Sequence, residues 1–193
     1  MNNKRGINPL VKNNKIDMKN LFSFVACFLF FVSSVMAQKY PGPFVEGGIF
    51  PTVTFRAADN QTLTTDDLRG KIVLYTFTDF HKCSVCAALM DGFNALYDMF
   101  ANDSVVFVAA IANDGDNIEK YQNQYKTKFP IVSFDYDTTL DNIIIQHRNI
   151  LVGANGKIVL MKSNIIRDYN GMKKMIIDTF SPAIRKQLKL MGF

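Results

Sequence analysis

The chain has 193 residues, 48% of them hydrophobic and 20% charged, with a formal net charge of +5. That balance excludes a disordered or collagen-like chain and suits one domain with a proper core. The excess charge sits ahead of residue 38, where Lys4, Arg5, Lys12, Lys15 and Lys19 face only Asp17; the remainder holds 17 cations and 16 anions, so a nucleic-acid partner has no electrostatic footprint.

The first 37 residues read as leader and signal peptide. After Met18, Lys19 and Asn20 comes an apolar stretch from Leu21 to Val32, followed by small residues at Val35 and Ala37. A short positive region, an apolar run of about a dozen residues and small residues at −3 and −1 describe a secretory signal cut after Ala37, with Met18 as the start. The run is short for a membrane span, which needs about 20 apolar residues. An exported, periplasmic product is expected; a membrane anchor over residues 21–36 follows only if the signal is retained. Cys27 lies inside the apolar run and is read as a small hydrophobe of the discarded segment.

Residues 38–48, with Pro41, Pro43, Gly47 and Gly48, read as an extended leader, and residues 49–193 as one domain. Thr52 to Arg56 alternates as a strand, Asp59 and Asn60 make a turn, and Gln61 to Thr64 returns, giving an N-terminal β-hairpin. Thr65 to Gly70 is a short helical turn ending on glycine. Lys71 to Thr78 is rich in β-branched and aromatic residues in sequence, which predicts a strand buried on both faces. Apolar residues at Leu89, Phe93, Leu96, Tyr97 and Phe100 recur at spacings of three and four, predicting a helix from Cys83 to Asn102.

Ser104 to Ala112 is a second buried strand. Asp114 to Lys128 reads as an amphipathic helix terminated at Phe129-Pro130, and Ile131 to Phe134 as another strand. Thr138 or Thr139 caps a helix running to about Gln146. Asn149 to Val152 and Lys157 to Met161 form a terminal hairpin around Asn155-Gly156. Tyr169 to Leu190 closes the chain with helical patterning, with a break expected at Ser181-Pro182. This order predicts an α/β fold: a central mixed sheet flanked by helices on both faces.

The chemistry is carried by Cys83-Ser-Val-Cys86, two cysteines three apart between a buried strand and a helix. A thiol at a helix start sees unpaired N–H groups and the positive end of the macrodipole, which favour its thiolate. The second sulfur can reach the first. In an exported protein a cysteine pair is by default a structural disulfide, but so small a loop removes little chain entropy, so redox or metal chemistry is the better reading.

From about Phe50 to Phe180 the chain resembles the TlpA/ResA group of exported thiol-disulfide oxidoreductases, related to the AhpC/TSA redoxins. The matching pieces are Asp67-Leu-Arg-Gly-Lys-Ile-Val-Leu74, Cys83-Ser-Val-Cys86, Phe129-Pro130 and Leu151-Val-Gly-Ala-Asn-Gly-Lys-Ile158. The resemblance implies a thioredoxin-like fold, a redox-active disulfide between Cys83 and Cys86, and no organic cofactor. Cys83 would be the attacking thiol and Cys86 the resolving one. Its expected partners are protein thiols and disulfides together with a membrane or periplasmic redox partner.

Three positions depart from the family. Lys82 stands where a tryptophan usually precedes the first cysteine. No Asp or Glu lies in the preceding strand as a buried proton acceptor, Asp79 being nearer the motif. The family's cis-proline falls on His147. Peroxidatic redoxins place a Thr three residues before the reactive cysteine; here Phe80 stands there, which argues against a peroxidase. His81, Lys82 and His147 are the supporting candidates, each able to stabilise the Cys83 thiolate. Two further readings stay open. One is a copper chaperone similar to the Sco type, with Cys83, Cys86 and His147 as a soft donor set for Cu(I) or Zn. The other is a redox-inert binding module.

Overall fold

The computed structural model describes residues 45–78, 80, 83, 85–102, 104–112, 117–135, 148–163 and 168–193. The leader, the signal segment and the helix expected over 138–146 lie outside them. Every residue from Ile72 to Phe77, strand β3, is buried. Because successive side chains of a strand point to opposite faces, Ile72 and Leu74 enter one hydrophobic core while Val73, Tyr75 and Phe77 enter another. A strand with both faces covered is what the uninterrupted apolar run predicts.

The other elements are β1 (Thr54–Arg56) and β2 (Thr62–Thr64), α1 (Cys86–Phe100), β4 (Val105–Ala112), α2 (Ile118–Tyr125), β5 (Ile131–Phe134), β6 (Arg148–Val152), β7 (Ile158–Ser163) and α3 (Tyr169–Leu190). Among the described residues seven strands form one sheet in the order β2-β1-β5-β4-β3-β6-β7. The central pairs β3–β4 and β4–β5 are parallel, joined by crossovers through α1 and α2; the outer pairs are antiparallel. The N-terminal hairpin is thus part of the sheet, with Phe55 of β1 opposite Phe134 of β5. The described elements all belong to the unit Pro41–Phe193.

The three described helices bury their apolar stripes in one core, with Leu89, Phe93 and Leu96 of α1, Ile118 and Tyr121 of α2, and Met172, Ile176, Phe180 and Ile184 of α3. α1 and α3 approach so closely that a Cβ on Gly92 would lie 2.9 Å from Cβ of Ile176. The second core is aromatic: Phe50 stacks on Tyr75 at 4.8 Å, and Phe55 and Phe77 each meet Phe134 edge-on, at 6.3 and 5.6 Å.

Away from the cysteines, three stretches differ from the sequence expectation, each for a local reason. The segment read as an extended leader is tied in from its end. Gly47 N–H donates to the Ile158 carbonyl, Ile158 N–H to Gly48, and the Met161 N–H to Glu46 Oε1, so residues 46–49 cover part of the β7 edge. α2 stops at Tyr125 instead of reaching Lys128, because Lys126 takes a left-handed φ of 48°. There Asn94 of α1 donates to the Lys126 carbonyl and accepts from the Lys128 N–H. α3 runs unbroken through Pro182. The carbonyl that Pro182 leaves without its helical donor belongs to exposed Asp178, while Phe180 and Ile184 on the buried side hold both halves to the core.

The segments that carry the resemblance meet in space. Gly70 N–H donates to the Ala154 carbonyl, and a Cβ on Gly156 (φ +76°) would fall 2.3 Å from the Arg69 guanidinium. Arg69 also pairs with Asp66, whose carboxyl is held below its usual range by the Thr52 hydroxyl first and Arg69 second.

Burial also raises the Tyr75 phenol above its ordinary 10.0. The folded state keeps this proton at pH values where the unfolded chain has lost it. The contribution is therefore complete below pH 10 and disappears as pH rises further. Urea titrations between about pH 8 and 11 are expected to show stability falling above about pH 10, with a shallower fall for Tyr75→Phe.

Candidate active site at the carboxyl end of β3

β3 delivers the chain to the helix-side core, at the carboxyl end of a central strand where open α/β sheets place their sites. Thr78, one residue past the strand, is buried on the same face as Thr76, and its backbone N–H continues the parallel ladder to the Ala110 carbonyl. Phe80 is buried and lies 4.8 Å from both the Tyr121 and the Tyr125 ring of α2. These rings hold Phe80, two residues past Thr78, against α2. Burial raises the Tyr125 phenol above its ordinary value. Phe80 occupies the position at which a peroxidatic redoxin would carry its threonine, and it serves as an anchor to the core.

Cys83 and Cys86 are joined in a disulfide, with their Cα atoms 5.3 Å apart. The sequence reading placed Cys83 in the helix; α1 in fact begins at Cys86. A single turn brings the sulfurs together, with the Cys86 N–H 3.4 Å from the Cys83 carbonyl oxygen. The two cysteines differ in access. Cys86 is completely buried, whereas Cys83 is half-buried at the edge of the helix-side core.

The start of α1 carries no side-chain cap and no acidic residue in its first turn. The amide groups of this turn face the loop that holds Cys83, and no carboxylate of the turn itself competes for them, an electrostatic bias worth about 0.3–1 kcal/mol for an anion there. Of the other candidates, His81, Lys82, His147 and Asp79 lie outside the described residues. Among the described residues no group of three or more His, Cys, Asp or Glu is assembled that could hold a metal ion.

The sequence reading missed a buried hydroxyl pattern on this face. Thr76 Oγ1 donates to Asn149 Oδ1 at 2.8 Å, and Asn149 Nδ2 donates to the Lys162 carbonyl at 3.3 Å. Thr78 Oγ1 lies 3.3 Å from Cys86 Sγ. The available signal is the period of two: Thr76 and Thr78 are the polar members of an otherwise apolar run, on the face that ends at the cysteines. Thr76→Val removes the donor to Asn149 inside the core and is expected to cost about 1–3 kcal/mol in denaturant unfolding. Adding Asn149→Leu should cost less than the two single changes summed, because neither polar group then remains buried without the other.

No helix among the described residues is long and apolar enough to cross a membrane. No curated protein matches the chain. Solved structures that share its fold include the following three. The thioredoxin domain of a thiol-disulfide oxidoreductase from Bacteroides vulgatus is 22% identical, with 69% of this chain and 99% of that one covered at a TM-score of 0.55. A thiol:disulfide interchange protein from a Bacteroides species is 17% identical, with 71% and 91% covered and a TM-score of 0.55. A thioredoxin-family thiol:disulfide interchange protein from Chlorobium tepidum is 14% identical, with 70% and 97% covered and a TM-score of 0.52. The fold is thioredoxin-like. Residues 47–169 match the AhpC/TSA family, and with well over half of its length inside that match the chain belongs to the AhpC/TSA family.

Proposed function

We propose that this protein is an exported thiol-disulfide oxidoreductase that exchanges disulfides with other proteins through Cys83 and Cys86. The observation that carries the reading is the difference in access within the pair: one half-buried sulfur, one fully buried. Disulfide exchange needs this division, because the first thiolate must meet a substrate while the second must reach only the first. Membership of the redoxin family and the fold shared with interchange proteins support it. Export rests on the signal-like segment ending at Ala37.

In the reductive direction the Cys83 thiolate attacks one sulfur of a substrate disulfide. The other substrate sulfur leaves with the electron pair and takes a proton from water, and a mixed disulfide remains on Cys83. Cys86 then loses its proton and attacks Cys83 Sγ. The second substrate thiolate is released, and the Cys83–Cys86 bond closes. The substrate gains two electrons and two protons, which a dithiol partner restores to the protein. The same steps run backwards for oxidation.

The test is insulin-disulfide reduction by the metal-free wild type, recycled by a dithiol. Catalysis above the dithiol alone supports the reading, and a rate equal to that of the dithiol alone overturns it.

A further inference from the structure

Completion of the exchange requires a thiolate on Cys86, and Cys86 is fully buried among apolar side chains. Ionising a thiol there works against desolvation. No carboxylate lies in β3. Among the described residues the Thr78 hydroxyl makes a polar contact with the sulfur, 3.3 Å away and itself buried. In the disulfide state Cys86 Sγ carries no proton, so the hydroxyl is the donor in this contact. Its position is determined twice over, by the β4 ladder through the Thr78 N–H and by the face of β3 on which it stands.

We infer that Thr78 is a positioning residue for the resolving step: its hydroxyl donates a hydrogen bond to the Cys86 thiolate and so governs how fast the mixed disulfide is released. The inference rests on the proposed exchange activity and adds to it the control of its second half. In the mixed disulfide the Cys86 proton passes to water. Thr78 O–H turns to the sulfur anion, and the sulfur lone pair forms the bond to Cys83 Sγ as the bond from Cys83 to the substrate breaks. The departing substrate thiolate takes a proton from water. A hydroxyl cannot keep the proton as a carboxylate could, so it favours the anion only by donation.

A hydrogen bond to a charged group is strong enough to move an ionisation by about one pH unit, equivalent to about tenfold in thiolate population. Thr78→Val keeps the shape and loses the donor; Thr78→Ser keeps the donor. The readouts are the first-order release of a preformed mixed disulfide between Cys83 and an insulin chain, the second-order rate of Cys83 attack, and the Cys86 titration followed by its 13Cβ shift in a Cys83→Ser background. Besides the cysteine, the ionisable side chains carried by the two neighbouring helices are Asp91, Tyr97 and Asp98 of α1, and Glu119, Lys120, Tyr121 and Tyr125 of α2. α3 faces this core with apolar Met172, Ile176, Phe180 and Ile184. None of these is altered, so the difference between variants reports the hydroxyl.

The expected result is release about tenfold slower in Thr78→Val with a midpoint about one unit higher, Cys83 attack within about twofold of wild type, and near-wild-type values in Thr78→Ser. An unchanged midpoint and release rate in Thr78→Val overturn the inference. So does equal slowing of both steps, or a Thr78→Ser variant as slow as Thr78→Val, since each marks a packing defect. If the wild type fails to reduce insulin yet the midpoint moves with Thr78→Val, the proposed activity falls while the control of Cys86 by Thr78 is supported.

Discussion

Cys83→Ser is expected to lower dithiol-coupled insulin reduction by at least about 100-fold, a loss of about 2.7 kcal/mol or more of transition-state stabilisation. Serine fits the half-buried position, but its hydroxyl supplies neither the thiolate nor the sulfur bond of the mixed disulfide. Cys86→Ser should behave differently. The half-buried Cys83 still attacks, the buried group that would release it is gone, and a covalent complex with substrate accumulates that reducing agent dissolves. A gel run without reductant separates the two variants, with a trapped adduct for Cys86→Ser and none for Cys83→Ser. Equal trapping by both would remove the division of labour drawn from their burial. Retained turnover in Cys83→Ser would show that the pair is dormant and favour the redox-inert module.

The second large effect concerns the fold. Phe55→Ala is expected to lower the free energy of unfolding by about 3–5 kcal/mol, with a fall in Tm of about 6–20 °C. The Phe55 ring is fully buried and lies 5.9 Å from Tyr75 and 6.3 Å from Phe134, so truncation opens a cavity between the hairpin and the sheet centre. Denaturant titration of the reduced and oxidised forms checks this, and the cost should be similar in both because Phe55 belongs to the core on the other side of the sheet from the cysteines. A loss below about 1 kcal/mol would mean that β1 is an appendage whose side chains contribute little.

What could be read from the sequence follows from how local each signal is. β3 declared itself through six consecutive residues that no solvated face would tolerate, and the Asn155-Gly156 turn through a backbone conformation with Gly156 at φ +76°. The hairpin partner of β1 was legible in the turn at Asp59 and Asn60, but its second partner, β5, was invisible, because nothing in Thr54 to Arg56 encodes pairing with a strand far along the chain. The break expected at Pro182 does not occur, since a proline rule takes no account of which side of the helix meets water. At the site, the cysteines were found by spacing alone. The Thr78 contact was missed because a search for charged proton acceptors passes over a hydroxyl, and only the fold shows that this hydroxyl and Cys86 share a face. His81, Lys82 and His147 lie outside the described residues, so the readings that depend on them stand as they did from sequence.

The sheet order also has a consequence for the newly made chain. Arg56 is hydrogen-bonded to Ser133 across 77 positions, and Thr76 to Asn149 across 73. β1 and β2 therefore have no sheet to join until β5 has been synthesised, and β3 lacks an outer neighbour until β6 follows. Contacts so distant along the chain are slow to form. The cysteines, separated by 3, belong to the opposite regime: their bond closes a loop so short that it hardly constrains the remaining search. Oxidation of this pair can precede or follow closure of the sheet without directing it, which leaves the disulfide free to open and close in a molecule whose shape is determined elsewhere.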